Sequence, residues 1–155
     1  MYFWQKYKDN RSNSRMRIVY IIDSLSNKGG AERVISEKMS YMVTNYGYDV
    51  SVITCYQFPK TMPNCYYLPN NVKQINLCIP SYLQYNYCYP KRFWVNRKYT
   101  RQLHHDLEQA VSTINPDIII GVGYTLADVV CQIKSKAAKI IEAHEARQFT
   151  KTYNN

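Results

Sequence analysis

A chain of 155 residues is long enough for one domain with its own apolar core. Although 46% of it is hydrophobic, no stretch reaches the roughly twenty uninterrupted apolar residues that a membrane-spanning helix needs. A net charge of +9 points to an anionic partner, whether a phosphate-bearing substrate, a membrane surface or nucleic acid.

The first fifteen residues, MYFWQKYKDNRSNSR, are basic and aromatic, without the apolar run and small-residue cleavage site of a signal peptide. A cytoplasmic protein is expected, with residues 1–15 as a flexible tail or the product of an upstream start and residues 16–155 as the domain. From Ile18 to Ile22 five apolar residues run without interruption, as suits a parallel strand covered on both faces. A polar loop, Asp23 to Lys28, closes on Gly29 and Gly30. Ala31, Ile35, Met39, Met42 and Tyr46 then recur at helical spacing, with Gly47 at the expected C-terminal cap. A strand, a glycine loop and a helix N-terminus in succession form a natural site for an anion.

A second strand is predicted over Val50 to Cys55, making the opening a right-handed strand-helix-strand crossover. Tyr56 to Asn71, rich in proline and asparagine, reads as an irregular loop, and Val72 to Leu77 as a third strand. Ile79 to Tyr89 is crowded with tyrosines between Pro80 and Pro90. It is expected as a loop or short helix over the carboxyl ends of the strands. Arg92 to Ile114 supports a long helix with Leu103, Leu107, Ala110, Val111 and Ile114 on its apolar face, stopped by Asn115-Pro116. Ile118 to Val122 is a fourth buried strand with Gly121 and Gly123 at its end. Leu126 to Ile133 is a short helix, and Lys139 to Ala143 a fifth strand that delivers His144, Glu145 and Arg147.

This alternation predicts an α/β fold, a Rossmann-like doubly wound parallel sheet of order 3-2-1-4-5 between helical layers. Ligands of such sheets bind beyond the carboxyl ends of the strands at the switch point. That rule gathers Asp23 to Gly30, Gly121 to Tyr124 and His144 to Arg147 around one crevice. A sheet ending at its fifth strand also leaves an edge and a cleft face, through which self-association is expected.

The glycine loop is neither a P-loop, since Lys28 precedes the glycines, nor the G-x-G-x-x-G dinucleotide fingerprint. Thr54 to Gln57 also lacks the carboxylate that would hold a nicotinamide ribose. An ordinary tight turn is the plain alternative. His144 is either a satisfied core histidine or a functional side chain at a strand end; Arg147 either grips a phosphate or pairs with a surface carboxylate. The five cysteines are odd in number and hold no C-x-x-C pair, so free thiols are expected. His104, His105 and Glu108 form the one metal-like cluster, without a third ligand on the shared helix face, and no metal site is expected.

IVYIIDSLSNKGGAERV, NPDIIIGVG and KIIEAHEAR, in this order, resemble the amino-terminal domain of family 4 GT-B glycosyltransferases, over about Met16 to Arg147. The resemblance implies half of a GT-B fold, whose glycine loop, here Gly29 and Gly30, approaches the diphosphate of a nucleotide-sugar donor and the acceptor. It implies that His144 contacts the donor sugar; Tyr124 and Arg147, which the strand-end rule sets around the same crevice, are further candidates for donor or acceptor binding. It further implies a retaining, metal-independent transfer, with the nucleotide-sugar as co-substrate, no other cofactor, and a glycan or lipid-linked acceptor. Polysaccharide or lipopolysaccharide biosynthesis is the expected setting. Family members continue into a donor-binding domain carrying an E-x7-E motif, where the main catalytic glutamate is expected. A truncated enzyme, a split one or a fragment is thus implied, inactive by itself.

The segment with Tyr82, Tyr85, Tyr87, Tyr89, Lys91, Arg92, Phe93, Trp94, Arg97, Lys98 and Arg101 admits three readings. These are a patch for anionic membrane, a single-stranded nucleic-acid surface, or a solvated helix face. The resemblance favours the membrane, hence a peripheral location on its inner face, over nucleic acid. A non-catalytic Rossmann-like module binding a nucleotide, a glycan or a partner chain is the alternative to an enzyme.

Overall fold

The structure, a computed structural model, describes residues 15–144. The amino-terminal tail up to residue 14, Glu145 and Arg147 therefore lie outside the described residues. The elements are β1 (Arg17–Ile22), α1 (Gly30–Tyr46), β2 (Asp49–Thr54), β3 (Lys73–Asn76), a 3-10 turn (Ser81–Asn86), α2 (Lys91–Ile114), β4 (Ile118–Val122), α3 (Ala127–Gln132) and β5 (Ala138–Glu142). The five strands form one sheet of order β3-β2-β1-β4-β5, and every neighbouring pair is parallel. The doubly wound order expected from the sequence is thus the observed one.

The continuous apolar strands are explained by burial on both faces. Val19 and Ile21 of β1, with Ile53 and Ile119, meet Leu103, Leu107 and Val111 of α2 and Val130 of α3. Ile18, Tyr20 and Ile22 point the other way and pack with Ile35 and Met39 of α1. Three layers result, α1 on one side and α2 with α3 on the other. No helix joins β2 to β3, so the loop between them helps cover the α1 side through Leu68 and Val72.

Helix ends follow local chemistry. Gly47 closes α1 in the left-handed region (φ 63°), donating its N–H to the Met42 carbonyl. Asn115 does the same for α2 at φ 47°, bonding to Val111 at 2.8 Å. Within β4, Gly121 is a packing requirement: a Cβ there would stand 2.9 Å from Val130 Cγ2 and 3.0 Å from Ile141 Cδ1. The glycine lets β4 approach α3 and β5 closely.

Several expectations shift. β2 and β5 each begin one residue earlier than the apolar pattern suggests, because Asp49 pairs with Arg17 and Ala138 with Ile118 in the ladder. β3 is shorter than Val72 to Leu77, and the tyrosine-rich segment after it is a 3-10 turn. Tyr46 does not continue the apolar face of α1. It is 59% exposed, stacked on Tyr48 (5.3 Å between centroids) and edge-on to Tyr41. At the end of the helix it lies past the sheet, and its partners are other rings.

Candidate active-site crevice

β1 and β4 are neighbours whose chains leave in opposite directions, β1 towards α1 and β4 towards α3. Two side chains bridge the gap they open. Thr125 donates its hydroxyl to Asp23 Oδ2 at 3.1 Å, joining the loop after β4 to the loop after β1. Asp23 Oδ1 is buried and has no partner. Loss of water raises the Asp23 pKa above the ordinary aspartate value, and Glu32 adds to this, while the Thr125 bond works against it. An acceptor oxygen left without a donor costs free energy unless something supplies one. A ligand hydroxyl or amide is the kind of group that would.

The glycine turn lies beside these residues. Gly29 is the N-cap of α1, extended at φ −84°, and no side chain caps the helix. Its first-turn N–H groups therefore present positive partial charge without a side-chain acceptor. The two glycines differ. A Cβ on Gly29 would collide with the carboxylate of Glu32, which folds back over the turn, whereas a Cβ on Gly30 would meet nothing within 4 Å. Gly30 thus leaves an open approach to the backbone that the packing of the fold does not demand.

The far side is built from β5 and α1. His144 follows β5, its Nε2 3.2 Å from Glu142 Oε2. Lys38 of α1 holds the same carboxylate through both oxygens, at 2.9 and 3.0 Å. Because a carboxylate paired with lysine only accepts, Nε2 is the donor in this contact, and Nδ1 is left for a ligand, as an acceptor in the neutral imidazole. The Glu142 carbonyl accepts the Gly123 N–H at 2.8 Å, tying the β4 loop to this corner. Beneath it, Tyr20 is fully buried with its hydroxyl 3.6 Å from Met42 Sδ. Burial, and secondarily Glu142, pushes the Tyr20 pKa up to about 12, so the ring serves as packing and not as an acid or base.

Of the residues singled out by sequence, Gly29, Gly30 and His144 thus stand at carboxyl ends of strands on this side of the sheet. Tyr124 lies on the turn between β4 and α3, 53% exposed, next to the Thr125 bridge. Arg147 lies outside the described residues. Sequence reasoning missed three features. The unpaired oxygen of Asp23 was signalled only by a carboxylate at a strand end. The Lys38–Glu142 pair joins residues 104 apart and left no sequence signal. The third is Gln57, 1% exposed. It accepts the Leu25 N–H at 2.9 Å and donates to the Met62 carbonyl (2.9 Å) and Asn64 Oδ1 (2.7 Å). With Cys65 N–H bonded to the Leu25 carbonyl at 2.9 Å, this fixes the loop after β2 against the loop after β1, and so one wall of the crevice.

The basic and aromatic segment forms a separate surface. Lys91, Arg92, Phe93, Trp94, Arg97 and Lys98 are all exposed at the start of α2. Lys91 Nζ stands 4.4 Å over the Tyr87 ring and the Arg92 guanidinium 4.5 Å over Tyr85, so the cations lie among the rings. Among the described residues no helix is long and apolar enough to cross a membrane. Nor, among them, do three or more His, Cys, Asp or Glu side chains form a group that could hold a metal ion.

No protein-family model matches the chain, and no curated protein matches it. Among solved structures it is similar to TcCGT1 in complex with UDP, with a TM-score of 0.54 at 15% identity. That alignment covers 88% of this chain and 30% of TcCGT1. It is also similar to PvdF of pyoverdin biosynthesis, an N10-formyltetrahydrofolate-dependent formyltransferase, with a TM-score of 0.50 at 12% identity, over 84% of this chain and 62% of that one. The chain therefore spans less than two thirds of either protein. At these identities the likeness is one of fold alone, a Rossmann-like α/β domain of GT-B-like kind.

Proposed function

We propose that the chain is the amino-terminal, acceptor-side half of a GT-B glycosyltransferase of family 4, moving a sugar from a nucleotide-sugar donor to a glycan or lipid-linked acceptor. The observation that carries this reading is the Gly29-Gly30 turn at the switch point, with an uncapped helix N-terminus behind it and an approach to Gly30 that packing leaves open. The sequence resemblance supports it, as does likeness in fold to a protein solved with UDP. In this reading the α1 amides stabilise charge on the departing diphosphate without a metal. Glu32 swings off Gly29 to admit it. His144, oriented by Glu142, takes a hydrogen bond from the sugar; Tyr124 flanks it and Arg147 offers a charge partner. The buried oxygen of Asp23 accepts from a hydroxyl of the acceptor. The main catalytic glutamate belongs to a donor-binding half, and transfer retains the anomeric configuration.

Calorimetric titration of the chain with UDP and with GDP, in EDTA, tests this. Saturable binding of one nucleotide that EDTA leaves unchanged is expected. Absence of binding to both, or a requirement for a divalent cation, contradicts it.

The exposed Phe93 and Trp94, set among Lys91, Arg92, Arg97 and Lys98, fit the headgroup layer of an anionic membrane. Each cation contributes about 1 kcal/mol near such a surface. In this reading a lipid-linked acceptor lies within reach and the protein is peripheral on the inner face. Vesicles containing phosphatidylglycerol should carry the chain in flotation, vesicles of phosphatidylcholine should not, and Trp94→Ala with Arg97→Ala should abolish the difference. Equal flotation with both lipids would refute this membrane role.

A further inference from the structure

Outside the crevice, the flank of α1 and the loop after β2 enclose an open groove of about 530 Å³, within the usual range of ligand sites, about 300–1,000 Å³. One wall is a row of hydroxyls. Ser36, Ser40 and Thr44 line the groove at four-residue intervals, so each stands about 6 Å further along the helix than the last. None of the three hydroxyls makes a hydrogen bond among the described residues, although other helical hydroxyls here, Thr100 and Thr113, bond back to their own helix. Ser36 is the telling one. It is only 3% exposed, yet it lines the groove, and its hydroxyl, bonded to no protein group, is open to a partner from the groove side alone.

The opposite wall is aromatic. Tyr66 and Tyr67 come from the loop, and Tyr67 is 78% exposed, a large ring surface that no neighbouring ring covers. At the groove's upper end Arg33 is neutralised by Glu37, Nε to Oε1 at 2.9 Å, so the groove carries no net charge to attract a phosphate. Flat rings facing regularly spaced, unpaired hydroxyls suit a ligand that is itself flat and apolar on one side and hydroxylated at its edges.

We propose that this groove is a carbohydrate-binding site that takes a linear oligosaccharide, its ring faces against Tyr66 and Tyr67 and its hydroxyls on Ser36, Ser40 and Thr44. The spacing of the row is close to the repeat of sugar units along a linear glycan. The site is distinct from the crevice, starting one turn of α1 beyond Gly30, and stands whether or not a nucleotide binds there.

The full chain is titrated with maltohexaose, cellohexaose and chitohexaose by calorimetry, up to about 10 mM, a range that captures weak glycan affinities. At least one of them should bind. Tyr67→Ala should weaken that affinity by at least about tenfold and Ser36→Ala by about threefold, while Lys136→Ala, at an exposed position outside the groove and the crevice, leaves it unchanged. Tyr67 is exposed, so its variant keeps the wild-type circular dichroism and melting temperature. Failure of all three glycans to bind overturns the proposal, as does binding that Tyr67→Ala and Ser36→Ala leave intact.

Discussion

Replacing Gln57 by leucine lowers the unfolding free energy by about 3 kcal/mol, although the two side chains are similar in size. The reason lies in what Gln57 holds. Its side chain is buried and makes three hydrogen bonds, to Leu25, Met62 and Asn64. Leucine would leave the Leu25 N–H without its acceptor and the Met62 carbonyl without its donor. Each buried group so orphaned costs about 1–3 kcal/mol. The loss spreads outward, because Asn64 is shared with Gln74 (2.7 Å) and Gln74 with Asn76 (2.9 Å), which in turn accepts from Thr54 at 2.6 Å. Linked amides of this kind are sensitive to loss of one member. Urea denaturation measures the effect. Gln57→Glu should also destabilise, because a carboxylate cannot donate to Met62 and would be buried without a counter-charge. A change below about 0.5 kcal/mol in Gln57→Leu, within the range of ordinary surface substitutions, would show that the network is not what orders the loop.

Gly30→Ala separates stability from function. Nothing stands within 4 Å of a Cβ at this position, and the residue opens a helix, where alanine is favoured over glycine. The variant should therefore be as stable as the parent or more so, by about 0.5 kcal/mol. If a diphosphate approaches the α1 backbone here, the same methyl occupies its path, and nucleotide affinity should fall by about tenfold or more. Thermal unfolding and nucleotide titration on the same preparation read both quantities. A variant that is stable and still binds nucleotide normally would remove Gly30 from the site. Gly121→Ala is the control for a glycine the packing does require, since its Cβ would press on Val130 and Ile141. It should destabilise by about 1–3 kcal/mol.

The parts of the fold legible in sequence were those where one physical cause dominates. Ile18 to Ile22 and Ile118 to Val122 announce themselves as parallel strands because burial on two faces leaves no polar position. Leu103, Leu107, Ala110 and Val111 mark the inner face of α2 for the corresponding reason at helical period. With these strands placed, the order of the sheet and the position of the crevice followed. The starts of β2 and β5 were misplaced because a strand is extended by its neighbour's register as well as by its own residues, as Asp49 opposite Arg17 shows. Tyr46 fitted the helical period but lies where the helix has outrun the sheet.

The crevice was legible only in outline. The glycines and His144 could be placed by topology, since strand ends at a switch point share a side of the sheet. What orients them could not. Lys38 meets Glu142, and Thr125 meets Asp23, across more than 100 residues of chain, and such pairs depend on three-dimensional proximity that no local pattern encodes. The burial of Gln57 was hidden for a different reason. Glutamine is ordinarily exposed, and only the main-chain groups it satisfies, on loops that had no predictable shape, make its burial favourable.

The central claim is that the turn at Gly29 and Gly30 receives the diphosphate of a nucleotide-sugar. It is tested most directly by following the backbone amide resonances of the isotopically labelled chain during titration with UDP-glucose and GDP-mannose. The account predicts that one of them shifts Gly29, Gly30 and Ala31 most, with smaller changes at Asp23, Tyr124 and Thr125, and that the Gly30→Ala chain loses these shifts. Resonances at the turn that stay fixed to saturating nucleotide, or shifts confined to the start of α2 or the outer groove, would contradict it.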